Sequence, residues 1–96
     1  MNDLEKKTSE VADILKILAH PKRFLILCKL GEWPKTVGEL EQYCTIGQSQ
    51  LSQFLRKMKK EGILNSEKNG QYVSYSIQDP RIIELMNAME KIFCRS

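Results

Sequence analysis

A chain of 96 residues with 42% hydrophobic side chains makes one small domain, and a core that size is often completed by oligomerisation. The net charge of +3 is too modest to argue for a nucleic-acid partner by itself, and three cysteines without paired spacing argue against a secreted disulfide framework or a zinc ribbon. The charged start, Met1 to Lys7, has no apolar stretch behind it, and no run approaches membrane-spanning length; a cytoplasmic protein with no membrane partner is expected.

The first helix is expected over residues 3–18, where Leu4, Val11, Ile14, Leu15 and Leu18 share a face. Ala19-His20-Pro21 breaks that pattern. Pro21 suits the first turn of a second helix over 21–30, whose Phe24, Leu25, Ile26, Leu27, Cys28 and Leu30 run nearly all round the wheel and mark it as central. Gly31 stops it and Trp33-Pro34 turns the chain. Thr36 and Glu39 form a capping box opening a short helix over 37–43. Thr45-Ile46-Gly47 is a tight turn, and a long helix follows from Gln48.

That long helix organises the chain. Leu51, Phe54, Leu55 and Met58 gather on one arc; the opposite arc carries Ser49, Gln53, Arg56 and Lys60, flanked by Gln48, Ser52 and Lys59. Its outer face is polar near the N-terminus and basic near the C-terminus. This is the layout of a helix lying in a DNA major groove. Gln48, Ser49, Ser52 and Gln53 are the expected base readers; Arg56, Lys59, Lys60 and Lys68 are the expected backbone contacts. The short helix, the turn and this helix read as a helix-turn-helix over about 37–61.

Gly62 ends the helix. Residues 63–67 and 71–77 read as two strands joined at Asn69-Gly70, a hairpin placed as a wing over about 63–77. Asp79 and Pro80 then open a last helix, with Ile82, Leu85, Met86, Met89, Ile92 and Phe93 as its stripe. The expected fold is a single domain over 1–96, mainly α with a small β-hairpin: a winged helix-turn-helix in the order α-α-α-α-β-β-α. A homodimer through the helices at about 3–18 and 80–95 is expected.

This order of elements resembles the ArsR/SmtB family of small dimeric winged-helix repressors. The resemblance is carried by Ala19-His20-Pro21-Lys22-Arg23-Phe24, Thr36-Val37-Gly38-Glu39-Leu40, Gln48 to Leu55 and Glu61-Gly62-Ile63-Leu64, and it spans essentially the whole chain. Gly47 stands where relatives often have a capping Ser. The metal-sensing branches do not fit. Thr36 and Gly38 occupy the positions that would need thiols, and of the set on the last helix only Asp79 remains, with no His in residues 80–96. His20 reads as a helix-start residue. No metal and no cofactor are expected.

Cys28 and Cys94, in contrast, match the dithiol of the BigR/SqrR/HlyU/YgaV subgroup, which senses reactive sulfur species or oxidants. The resemblance thus implies a repressor that binds an inverted-repeat operator in double-stranded DNA and is switched by persulfides or oxidants acting on Cys28 and Cys94. The alternatives are a regulator responding to a metal or other ligand, or one without an inducer whose cysteines are only core residues. Cys44 has no counterpart in the pair. An enzyme is not expected: there is one His, no Gly-rich phosphate loop and no Cys-x-x-Cys motif. A module that binds only proteins would carry more exposed aromatics than residues 48–60 offer.

Overall fold

The computed structural model describes residues 2–94. Its elements are α1 (Asp3–Leu18), α2 (Pro21–Leu30), β1 (Lys35–Thr36), α3 (Val37–Glu41), α4 (Gln48–Lys60), β2 (Leu64–Asn69), β3 (Tyr72–Ile77) and α5 (Pro80–Phe93). The expected helices are present. Position 95, included in the expected last helix, lies outside the described residues.

Side-chain caps fix most helix starts. Asn2 accepts from the Glu5 N–H at 2.8 Å. In α3 the capping box closes both ways: the Glu39 N–H donates to Thr36 Oγ1 at 3.2 Å and the Thr36 N–H to Glu39 Oε1 at 3.0 Å. Asp79 accepts from the Arg81 N–H at 2.9 Å. His20 is itself the cap of α2, its Nδ1 accepting from the Lys22 N–H at 3.1 Å. That bond requires a lone pair on Nδ1 and so uses the imidazole structurally. Gly47 caps α4 through its extended backbone alone, with no side-chain bond.

The sheet differs from the expected hairpin by one strand. β1 pairs antiparallel with β3, setting Lys35 opposite Tyr75 and Thr36 opposite Ser74, so the order is β1-β3-β2. Two residues carry no periodicity of their own; the ladder to β3 makes them a strand. The hairpin turn is also shifted. Asn69 pairs with Tyr72, leaving Gly70 and Gln71 as the central residues. Gly70 has φ +62° and Gln71 does not share the positive φ. Glycine in the first central position is the requirement of a type II′ turn, which suits the twist of the strands.

One cluster forms the core. Ile17, Leu18, Ile26, Leu27 and Leu30 from the first two helices meet Leu40, Leu51, Leu55 and Met58 from the helix-turn-helix, with Ile63, Leu64, Ile77, Ile82 and Met86 closing it. Leu51, Leu55 and Met58 are fully buried, worth roughly 1.5–3 kcal/mol each in burial. α4 is thereby fixed along its inner arc. Its end is a Schellman motif: the Ile63 N–H reaches Met58 O at 2.9 Å, the Gly62 N–H reaches Lys59 O at 3.0 Å, and Gly62 takes φ +83°. The chain leaves α4 there and enters β2.

Candidate nucleic-acid interface and dithiol cleft

The inner arc of α4 leaves the outer one free. Gln48, Ser49, Gln53, Arg56, Lys59 and Lys60 are exposed and Ser52 is half-buried. Phe54 sits on the flank. Its ring meets His20 edge-on at 5.0 Å between centroids, and the Arg23 guanidinium lies 5.8 Å from it. α2 and α4 are therefore locked through the cap of α2. A second tie runs from Lys22 Nζ to Thr45 Oγ1 at 2.8 Å, bracing the turn of the helix-turn-helix.

The wing is held to α4 by Lys59, whose Nζ donates to Ser66 Oγ at 2.6 Å. That bond gives Lys59 a structural task beside the expected backbone contact. Lys68 is exposed near the wing tip. A cleft of about 300 Å³ between wing and helix-turn-helix brings Gln48 together with Gln71, Tyr72 and Val73. Gln71 belongs to the wing tip, Lys68 to Gln71, that the sequence places within reach of phosphates or the minor groove; Tyr72, exposed beside it, was not among the expected contacts, and a tyrosine next to a Gly-led turn is the signal that could have marked it.

The two expected sensor thiols come together. Cys28 on α2 and Cys94, the C-cap of α5, line one cleft of about 300 Å³ with Pro21, Phe24, Leu25, Lys29, Glu32 and Glu90. Both sulfurs are free; Cys28 is half-buried and Cys94 exposed. Burial pushes the Cys28 thiol above its ordinary value, and the nearby Cys94 and Glu90 push the same way, with Lys29 opposing. Cys44 lies past the end of α3, buried in the core, its thiol likewise raised by burial. It lines a different part of the molecule from the pair.

Asp79, the remaining position of a metal set on the last helix, is committed elsewhere. Hydrogen bonds from the Arg81 side chain, then from its backbone, hold its carboxyl below the usual range. The ion pair measures 2.7 Å. Among the described residues no group of three or more His, Cys, Asp or Glu is placed to hold a metal ion. No described helix is long and apolar enough to cross a membrane.

A capped helix-turn-helix, a polar and basic outer face and a tethered wing define a winged-helix protein of the DNA-binding class. Residues 20–66 match the bacterial regulatory protein, arsR family. Over 92 residues the chain is 41% identical to the biofilm growth-associated repressor of Xylella fastidiosa, covering 96% of this chain and 81% of the relative. The crystal structure of the transcriptional repressor BigR from Xylella fastidiosa superposes with a TM-score of 0.88 at 40% identity, covering 100% of both chains. Reduced HlyU from Vibrio cholerae superposes with a TM-score of 0.91 at 28% identity, over 99% of this chain and 100% of that one. The chain belongs to the arsR family of bacterial regulatory proteins: it is a DNA-binding transcriptional regulator and not an enzyme.

Proposed function

We propose that the protein is a sequence-specific repressor whose operator affinity is set by the state of the Cys28–Cys94 dithiol. The observation that carries this reading is the shared cleft: two free thiols from separate helices face one opening in a regulator of this family. As a homodimer the reduced protein binds an inverted-repeat operator, with one α4 in each of two major grooves about one helical turn apart. Gln48, Ser49, Ser52 and Gln53 read base edges. Arg56, Lys59, Lys60 and Lys68 meet phosphates.

Exposed apolar side chains support the dimer. Leu4, Val11 and Leu15 on α1 and Ile92 and Phe93 on α5 stand in solvent, Phe93 at 74%. Together they form the kind of surface that a second copy covers.

The thiols divide the chemistry by position. Cys94 is the sulfur that a reagent reaches first; Cys28, half-buried and its thiol pushed up by burial, resolves the intermediate as the thiolate. With a hydropersulfide RSSH, Cys94 attacks its outer sulfur and expels the thiol RSH, leaving a persulfide on Cys94. Attack by Cys28 on the Cys94 Sγ then gives a disulfide and releases hydrogen sulfide. Alternatively, a second RSSH acts as oxidant. The Cys94 persulfide attacks its inner sulfur, releasing hydrogen sulfide, and Cys28 attacks the inserted sulfur, releasing RSH; a trisulfide bridges the pair. An oxidant such as a peroxide, reduced to water and an alcohol, closes the disulfide directly. Bridging fixes the relation between α2 and α5. It need only prefer the weak-binding arrangement by about 1–3 kcal/mol to lower affinity some 5–150-fold.

The test uses Cys28→Ser and Cys94→Ser. Each is expected to bind the promoter DNA as tightly as the reduced wild type and to show no response to a persulfide donor. A fully responsive Cys94→Ser protein would contradict the reading.

A further inference from the structure

Lys35 is the one buried charged side chain among the described residues, with 1% of its surface exposed. Its Nζ lies 3.9 Å from the centroid of the Trp33 indole and 3.5 Å from Glu32 Oε1, and makes no hydrogen bond. Glu32 is its one ion-pair partner among the described residues. A buried ammonium tolerates neither the loss nor the removal of its counter-charge, whereas an apolar side chain of similar length fills the same space at no electrostatic cost.

The position of this pair matters. Glu32 lines the cleft that holds Cys28 and Cys94. Lys35 stands on β1, whose ladder runs to Tyr75 and Ser74 in the wing strand β3. The next residue, Thr36, is the cap of α3, the first helix of the helix-turn-helix. Residues 32–36 therefore join the lip of the thiol cleft to both halves of the DNA-reading unit.

We propose that the Glu32–Lys35 ion pair is the coupling between the dithiol cleft and the DNA-reading elements, with Lys35 as a positioning residue. This rests on the dithiol reading and names how that site is transmitted. Bridging Cys28 and Cys94 draws the end of α5 across the lip where Glu32 sits. Glu32 moves, and the buried ammonium, held otherwise among the described residues only against the Trp33 ring, follows its counter-charge. β1 shifts with it, carrying the Thr36 cap and the register of the wing. Neither residue changes its covalent state.

Coupling and stability are separable at Lys35. Lys35→Met should fold at least as well as the wild type, since it replaces a buried charge by an apolar side chain and leaves behind a Glu32 carboxylate that is 41% exposed and solvated. It should also bind DNA normally when reduced. The experiment is a fluorescence-anisotropy titration of promoter DNA with reduced protein and with protein treated with sodium tetrasulfide, intact mass confirming full bridging in both. Wild type is expected to lose affinity about 5–150-fold on bridging. Lys35→Met is expected to bridge equally but lose affinity by no more than about twofold, a small part of that coupling range. Lys35→Arg, which keeps the charge, is expected to restore the response. A wild-type response in bridged Lys35→Met overturns the proposal while leaving the dithiol reading intact. A wild type that bridges with no change in affinity overturns the dithiol reading, and this inference with it. Trp33, the chain's one tryptophan, supplies a second readout: its emission should change on bridging as the ammonium moves, and a fixed emission on full bridging would also overturn the proposal.

Discussion

Replacing Arg56 by Gln isolates one expected phosphate contact. Arg56 is exposed on the outer arc of α4 and, unlike Lys59, is bonded to no other described side chain. Its guanidinium is thus free to neutralise a phosphate without loosening the wing. Each phosphate neutralised steepens the fall of log affinity with log salt by about 0.9, so losing one contact per protomer of a bound dimer should flatten the slope by about 1.8. Between 50 and 200 mM salt, the variant should therefore lose roughly twelvefold less affinity than the wild type. The assay is an anisotropy titration at several salt concentrations, on promoter DNA and on an unrelated duplex of equal length. Both duplexes should show the same flattening, because a phosphate contact carries no sequence information. Lys6→Gln, on the exposed face of α1, serves as a control and should leave the slope unchanged. A wild-type slope in Arg56→Gln, or a change confined to one duplex, would refute the placement of this face against the backbone.

Gln53→Ala should relax discrimination at one base pair of each half-site by about 1–3 kcal/mol, read from titrations against single-substituted operators; unchanged affinity and preference together would contradict the groove assignment. Phe93→Glu puts a charge into the exposed apolar surface of α5 and should shift light scattering from dimer to monomer; a variant that stays dimeric would place the interface elsewhere. Burial first, then Cys94 and Glu90, hold the Cys28 thiol up. Less of the thiolate form is therefore present at any given pH than for an ordinary thiol, and the rate of bridging, followed by quenched-sample mass, should keep rising as pH passes through the ordinary thiol range. A rate that levels off near neutrality would assign the slow step to another group.

How legible this was in the sequence depended on how local the cause was. The helices were readable because their arcs and caps lie within a few residues: Leu51, Leu55 and Met58 at helical spacing, Thr36 with Glu39, Asp79 before Pro80. β1 was not, because Lys35 and Thr36 become a strand only through Tyr75 and Ser74. Nor was the burial of Lys35, since a lone Lys beside Trp33-Pro34 reads as surface. The hairpin was readable from Asn69-Gly70, but its register depended on which residue took positive φ, and that was Gly70 as first central residue. For the thiols, sequence could mark Cys28 and Cys94 only by resemblance. Their common cleft depends on how α5 packs across α2, which no spacing encodes.

One chemical event at Cys28 and Cys94 is expected to change affinity for DNA. The deciding experiment titrates promoter DNA at fixed salt with reduced protein and with persulfide-treated protein, following anisotropy and intact mass on the same samples. Loss of affinity in step with the appearance of a Cys28–Cys94 bridge is the predicted result. Equal affinity before and after complete bridging would contradict it.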